Sequence, residues 1–217
     1  MQPRTEADAL LLISSTCPHC AAVADAMMRL VKSGRIARLE IVNLDQRPEQ
    51  AQRLAVRAVP WLRLGPFELT GALGYGELEE WAEHAAAGTG LGDYAAYLLE
   101  HQQLDRVVER VRDDPRQLLQ LLDLLTDDQT PMGVRIGIGA VVEELAGTKT
   151  LRQAVPLLEQ LTLSALPQTR ADACHYLGLA GDPGALASVR RLLDDEQDDV
   201  REIAAETLAV LEPAATS

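Results

Sequence analysis

Apolar and polar positions change their period along the chain, and the change divides it in two. Over residues 1–87, Leu10–Ser14 is a short apolar run of strand length. Ala21–Val31 carries Val23, Met27, Leu30 and Val31 at helical spacing, with Gly34 as a stop signal. Ile36–Asn43 alternates like a strand, and Pro48–Ala55 reads as a short helix with proline in its first turn. Trp61–Leu64 and Phe67–Thr70 flank Gly65-Pro66 as a hairpin, and Gly76–Ala87 closes the half as a helix. The predicted order is βαβ, then α, then ββα around a mixed sheet.

Gly88-Thr-Gly-Leu-Gly92 reads as a linker. Residues 93–217 then read as helical throughout, with aliphatic stripes predicted over Tyr94–Val111, Arg116–Leu125, Val134–Leu145, Leu151–Leu163, Arg170–Leu179, Ala185–Leu193 and Val200–Leu211. This half repeats itself. Thr169-Arg170 and the Ala-rich helix after it align with Val200-Arg201 at an offset of 31, and Val134-Arg135 opens an earlier copy. An acidic turn, a Val/Thr-Arg pair and an Ala-rich helix, with Gly181-Asp182-Pro183 between helices, resemble short HEAT-like repeats over 131–211. One helix pair cannot bury its own apolar face, so the resemblance implies an all-α stack of pairs, a solenoid.

Composition narrows the field. Hydrophobic residues are 47% and aromatics only 3%, which favours helices packed through aliphatic side chains over a β-sandwich. The net charge is -13, so no nucleic acid and no anionic membrane surface is expected as a partner. The charge is unevenly spread: residues 88–217 hold 22 acidic and 11 basic side chains, against 11 and 9 in residues 1–87. The apolar run Ala9–Ser15 is preceded by Glu6 and Asp8 and is too short to span a bilayer. A cytoplasmic location is therefore expected.

The chemistry sits in Cys17-Pro18-His19-Cys20, directly after the first strand and at the predicted opening of the first helix. Half a zinc site has the same spacing, but Cys174, His84, His101 and His175 offer no second pair, so no metal is expected. The redox reading is favoured. A sulfur at a helix N-terminus meets unpaired N–H groups and the positive end of the helix dipole, both of which favour a thiolate. His19 is expected to add positive charge or a donor beside Cys17, and Pro18 fits a first helical turn without loss of a hydrogen bond.

With Ala58-Val59-Pro60 before the next strand, and the run Asp45–Pro60 leading to it, residues 9–87 resemble a thioredoxin-like domain. The resemblance implies Cys17 as nucleophile and Cys20 as resolving thiol. It further implies a cis bond before Pro60, with Val59 and Pro60 as the substrate-docking edge. Three positions depart from the family pattern: Leu11 stands in place of a buried acid, Thr16 in place of a tryptophan, and Trp61, unusual after that proline, is expected to rebuild part of the apolar docking surface.

Several other residues read as structural. Cys174 aligns with Ala205 and suits close helix packing, His175, His84 and His101 suit solvated or capping places, and Trp81 suits packing on the sheet. The run Asp194–Asp199 lacks the glycine and final glutamate of a calcium loop, and Asp198 and Asp199 suit a helix start. The leading expectation is a thiol–disulfide oxidoreductase acting on a protein disulfide or thiol, needing no bound cofactor. Its electrons would come from a reductase or another dithiol, and its acidic helical half would bind a basic or amphipathic protein. The alternative is a non-catalytic adaptor or assembly chaperone in which both halves only bind.

Overall fold

A computed structural model describes residues 7–212. The chain forms two compact units, Met1–Gly90 and Leu91–Ser217. The first contains β1 (Asp8–Ile13), α1 (Cys20–Lys32), β2 (Arg38–Asn43), α2 (Pro48–Arg53), β3 (Trp61–Leu64), β4 (Phe67–Thr70) and α3 (Tyr75–Ala87). The strands make one mixed sheet in the order β2-β1-β3-β4. β1 runs parallel to β2 and antiparallel to β3, and β4 is antiparallel to β3.

Period-two alternation gives the sheet two faces. Leu11 stands opposite Leu62, and Leu64 opposite Phe67, and all four are buried with Leu69. Val23, Met27 and Leu30 of α1 and Leu78 and Ala82 of α3 are buried too; the two helices pack on each other, α1 also on β2 and α3 on β3. Leu10, Leu12 and Trp61 point to the other side. They form a smaller cluster with the partly buried Val42, Leu44, Leu54, Val56 and Val59, so the chain on either side of α2 closes that face.

Element ends shift where backbone groups find other partners. β2 starts at Arg38 rather than Ile36, because the Arg35 and Ile36 N–H groups turn back to the Leu30 carbonyl at the end of α1. Gly34 permits that turn at φ 74°. α2 stops at Arg53, and Ala55 then turns the chain at φ 52°.

The second unit contains α4 (Leu91–Glu100), α5 (Leu104–Asp113), α6 (Arg116–Asp123), α7 (Met132–Glu144), α8 (Lys149–Gln153), α9 (Val155–Leu161), α10 (Pro167–Ala180), α11 (Leu186–Arg191) and α12 (Asp198–Leu211), with short 3₁₀ turns between some of them. Three sequence expectations are corrected. The stripe over Tyr94–Val111 is two helices: Gln102 takes φ 57°, and the Gln103 N–H bonds the Leu98 carbonyl, reversing the chain. Leu151–Leu163 breaks at Ala154, two residues before Pro156, which has no N–H to continue the ladder. The Gly-rich linker is shorter than expected, since α4 already begins at Leu91.

α7, α10 and α12 pack in succession, and Gly178 brings α10 close to Thr207 of α12: an added Cβ there would lie 3.1 Å from the Thr207 methyl. The Val/Thr-Arg pairs explain how neighbouring turns are tied. Arg135 is buried and donates to the Leu125 carbonyl at 3.1 Å, Thr169 at 3.2 Å and Asp172 at 2.8 Å. Arg170 holds Asp195 through two bonds of 2.7 Å and donates to the Ser164 carbonyl at 2.9 Å. Arg201 donates to the Asp195 backbone carbonyl at 2.6 Å. Asp195, inside the acidic run, is thus an arginine partner. Its carboxyl is held below the usual range by the Arg170 hydrogen bonds.

Replacing Arg170 by Ala is expected to destabilise the protein by about 2 kcal/mol in urea unfolding, since it leaves a buried carboxylate without its bidentate partner. Arg190→Ala, at an exposed pair with Glu212, should cost below about 0.5 kcal/mol. A depressed folded-state value means that the Arg170–Asp195 contribution is complete above the ordinary carboxylate value of about 4. It is lost as pH falls through the lower folded-state value, so the gap between wild type and Arg170→Ala should close only in that acidic range.

Candidate functional site

The loop 14–19 carries the chain from the end of β1 to the start of α1. The Cys17 N–H bonds the Ser14 carbonyl at 3.2 Å, closing a turn immediately before the Cys-Pro-His-Cys run. α1 begins at Cys20, with His19 at its N-cap. Pro18 therefore lies in the turn ahead of the helix and not in its first turn, and Cys17 stands three residues before the helical ladder.

The two thiols sit in different surroundings. Cys17 is half-buried, and its thiol points to the Val59 carbonyl at 3.6 Å. Its pKa is lowered, first by the Cys20 thiol as hydrogen-bond donor and also by the backbone N–H groups of His19 and Cys20. His19 thus acts through its amide, while its side chain is exposed. Cys20 is 3% exposed, and its thiol is pushed up to about 11, chiefly by burial and then by Cys17. One thiol is half-buried with its value lowered, the other buried with its value raised.

The Val59–Pro60 peptide is cis. Val59 is half-buried and presents its carbonyl to Cys17, while Pro60 is buried at the head of β3. Trp61 is corrected: at 5% exposure it packs against Leu10 and Leu12, so it braces the sheet beneath the edge and offers no docking surface. The exposed residues leading to that edge are Arg57 and Ala58.

Sequence reasoning missed a polar group beside the loop. Asp45, in the turn after β2, accepts from the Ser14 hydroxyl at 3.0 Å and the Ser15 N–H at 2.7 Å. Asn43 donates to the Ser15 hydroxyl at 2.9 Å and accepts from the Asp45 N–H at 2.9 Å. The Ser15 amide, then the Ser15 and Ser14 side chains, hold the Asp45 carboxyl below its ordinary value. The only signal in the chain was an Asn-x-Asp sequence closing a strand, which reads equally as ordinary turn chemistry.

The residues read as structural lie elsewhere. Cys174 is buried, with its thiol pushed up to about 11 by desolvation. Its repeat counterpart Ala205 is exposed, because α12 is the last helix of the described stack. His101 contacts the Tyr97 carbonyl at 2.8 Å, His84 contacts the Thr89 hydroxyl at 3.2 Å, and His175 is exposed. The Trp81 ring lies 5.0 Å from that of Phe67. Among the described residues no group of three or more His, Cys, Asp or Glu side chains is placed to hold a metal ion. Nor is any helix among them long and apolar enough to cross a membrane.

Residues 118–209 match the family of HEAT repeats, which generally mediate protein–protein interactions. The match runs from α6 into α12 and so begins earlier than the repeat visible by eye. No curated protein matches the chain.

In the reduced, folded protein, iodoacetamide at neutral pH is expected to modify Cys17 first, and Cys20 and Cys174 only after unfolding. Mass spectrometry of the labelled peptides checks this. Equal labelling of Cys17 and Cys20 would contradict the asymmetry.

Proposed function

We propose that the protein is a thiol–disulfide oxidoreductase that acts on a protein disulfide, with its HEAT-repeat unit binding the protein partner. The observation that carries this reading is the unequal thiol pair beside the Val59 carbonyl. In the forward direction the Cys17 thiolate attacks one sulfur of the substrate disulfide, and the other sulfur leaves as a thiolate. The Cys20 thiol loses its proton and attacks Cys17, which releases the second substrate thiol and leaves a Cys17–Cys20 disulfide. Two electrons have then passed to the substrate, and a reductase or another dithiol restores the pair. The high Cys20 value keeps the second thiol protonated until the mixed disulfide forms, so Cys17 is the sulfur that meets substrate. Val59 presents a backbone edge with which an extended peptide can pair.

A thioredoxin-like reading of the first unit rests on the same features: strand, CxxC and helix in succession, a mixed four-stranded sheet, and a Val-Pro pair at the head of β3. The acidic charge of residues 88–217 favours a basic or amphipathic partner for the repeats. A reducing, cytoplasmic setting suits a pair that must be returned to the dithiol state.

Reduction of insulin disulfides by the full chain, with dithiothreitol as electron source, is the test. Activity is expected in wild type and should fall to background in Cys17→Ser. Cys20→Ser should accumulate a mixed disulfide on Cys17, and raised salt should weaken capture of a basic partner but leave insulin reduction nearly unchanged. Background activity in wild type would overturn the catalytic reading and leave an adaptor or assembly chaperone.

A further inference from the structure

The two parallel strands β1 and β2 end side by side, with Ile13 paired to Asn43. Two chain reversals thus leave the sheet at neighbouring points: the Cys17 loop from β1, and the turn 44–47 from β2. The Asp45 carboxylate spans the gap between them with both oxygens. One accepts from the Ser14 hydroxyl at 3.0 Å, the other from the Ser15 N–H at 2.7 Å. Asn43 closes the frame from the strand end, donating to the Ser15 hydroxyl and accepting from the Asp45 N–H, each at 2.9 Å. Inside the loop, the Ser14 hydroxyl accepts from the Thr16 N–H at 3.3 Å, and the Ser14 carbonyl accepts from the Cys17 N–H at 3.2 Å. A continuous path of hydrogen bonds leads from the Asp45 carboxylate through Ser14 to the backbone of Cys17.

We propose that Asp45 is a positioning residue for Cys17: its carboxylate clamps the Ser14–Thr16 turn and so holds the Cys17 sulfur where the Cys20 thiol and the backbone amides of α1 can stabilise it as a thiolate. The stabilising donors are the Cys20 thiol and the N–H groups of His19 and Cys20. Their effect on the sulfur falls off with distance, so a displacement of the turn weakens them together. Asp45 remains ionised throughout the neutral range, because its carboxyl lies below the ordinary carboxylate value. The clamp is therefore intact at neutral pH. The titratable and charged groups nearest Cys17 in the chain and the hydrogen-bond network are Cys20 and His19 on the α1 side, Asp45 on the β2 side, and Arg57 ahead of the Val59 edge.

Charge and position make opposite demands on the outcome. A negative carboxylate acting only through space would raise the Cys17 value, so its neutralisation would lower it. A carboxylate acting as a clamp lowers the Cys17 value, so its loss raises it. Asp45→Asn removes the charge and one acceptor oxygen: the remaining oxygen accepts from the Ser15 N–H in a weaker, neutral bond, and the Ser14 hydroxyl must turn from donor to acceptor of the amide.

The consequence for turnover rests on the oxidoreductase reading, but thiol reactivity does not, and the experiment reads thiol reactivity. Alkylation rates of Cys17 in the reduced full chain are measured against pH by peptide mass spectrometry, in wild type, Asp45→Asn, Ser14→Ala and the control Asp25→Asn. Asp25 is an exposed acid of α1 outside the frame. Asp45→Asn is expected to move the midpoint of Cys17 alkylation upward by about half to one unit and so to slow the reaction below that midpoint about three- to tenfold. Ser14→Ala, which keeps the charge but cuts the path, should move the midpoint the same way by less, and Asp25→Asn should leave it in place. Labelling of Cys20, buried in the same unit, reports unfolding of that unit; if Asp45→Asn unfolds, Ser14→Ala decides alone. An unchanged or lowered midpoint in the folded variants would overturn the clamp. Should wild type fail to reduce insulin while the midpoint still rises, the clamp stands and the oxidoreductase reading falls.

Discussion

Pairing on both edges of β1 is the constraint on which the N-terminal unit depends. A six-residue strand, Asp8–Ile13, is hydrogen-bonded along one side to β2 in parallel and along the other to β3 in antiparallel register. Because β2 runs parallel, its C-terminal end at Asn43 falls beside Ile13. Because β3 runs antiparallel, its N-terminal end falls at the same place, with Trp61 opposite Leu12. Three loops distant in sequence therefore meet at one end of the sheet: the Cys17 loop, the Asp45 turn and the Val59–Pro60 entry to β3. The site follows from register; a slip of β3 by one residue would turn Leu62 out of the core and shift Val59 away from Cys17.

Burial then makes the two cysteines chemically different. α1 presents Cys20, Val23, Met27 and Leu30 to the core at helical spacing, so Cys20 is drawn inside by the same periodicity that packs the helix. Cys17 lies ahead of the helix, in a turn supported by hydrogen bonds instead of apolar contact. Desolvation raises the inner thiol, and nearby donors lower the outer one. The CxxC spacing thus places one sulfur on each side of the boundary between core and solvent.

The helical unit is held by a different principle. Its arginines are donors to backbone carbonyls at the preceding turns, and two of them also hold carboxylates one repeat away. A guanidinium has five N–H donors in a plane, so one side chain can bridge a turn and a helix at once. That explains why arginine recurs at the start of the Ala-rich helices, where small residues let the helices approach closely. The remaining acidic residues are left largely at the surface.

The alternation of period two and period 3.6, the CxxC after an apolar strand and the Val/Thr-Arg repeat were all legible in the chain, because each is set by local geometry and repeated burial. They were enough for the order of strands and helices in the first half and for the helical repeat in the second. Tertiary structure alone decided the rest. The break at Gln102, the displaced start of β2 and the burial of Trp61 depend on which backbone groups and faces find partners, and apolar periodicity cannot see partners. The same holds for Asp45: an acid in a turn is unremarkable until a parallel strand brings it 2.7 Å from the Ser15 amide, thirty residues earlier in the chain. Local pattern specifies elements, and long-range hydrogen bonding specifies which loops become a site.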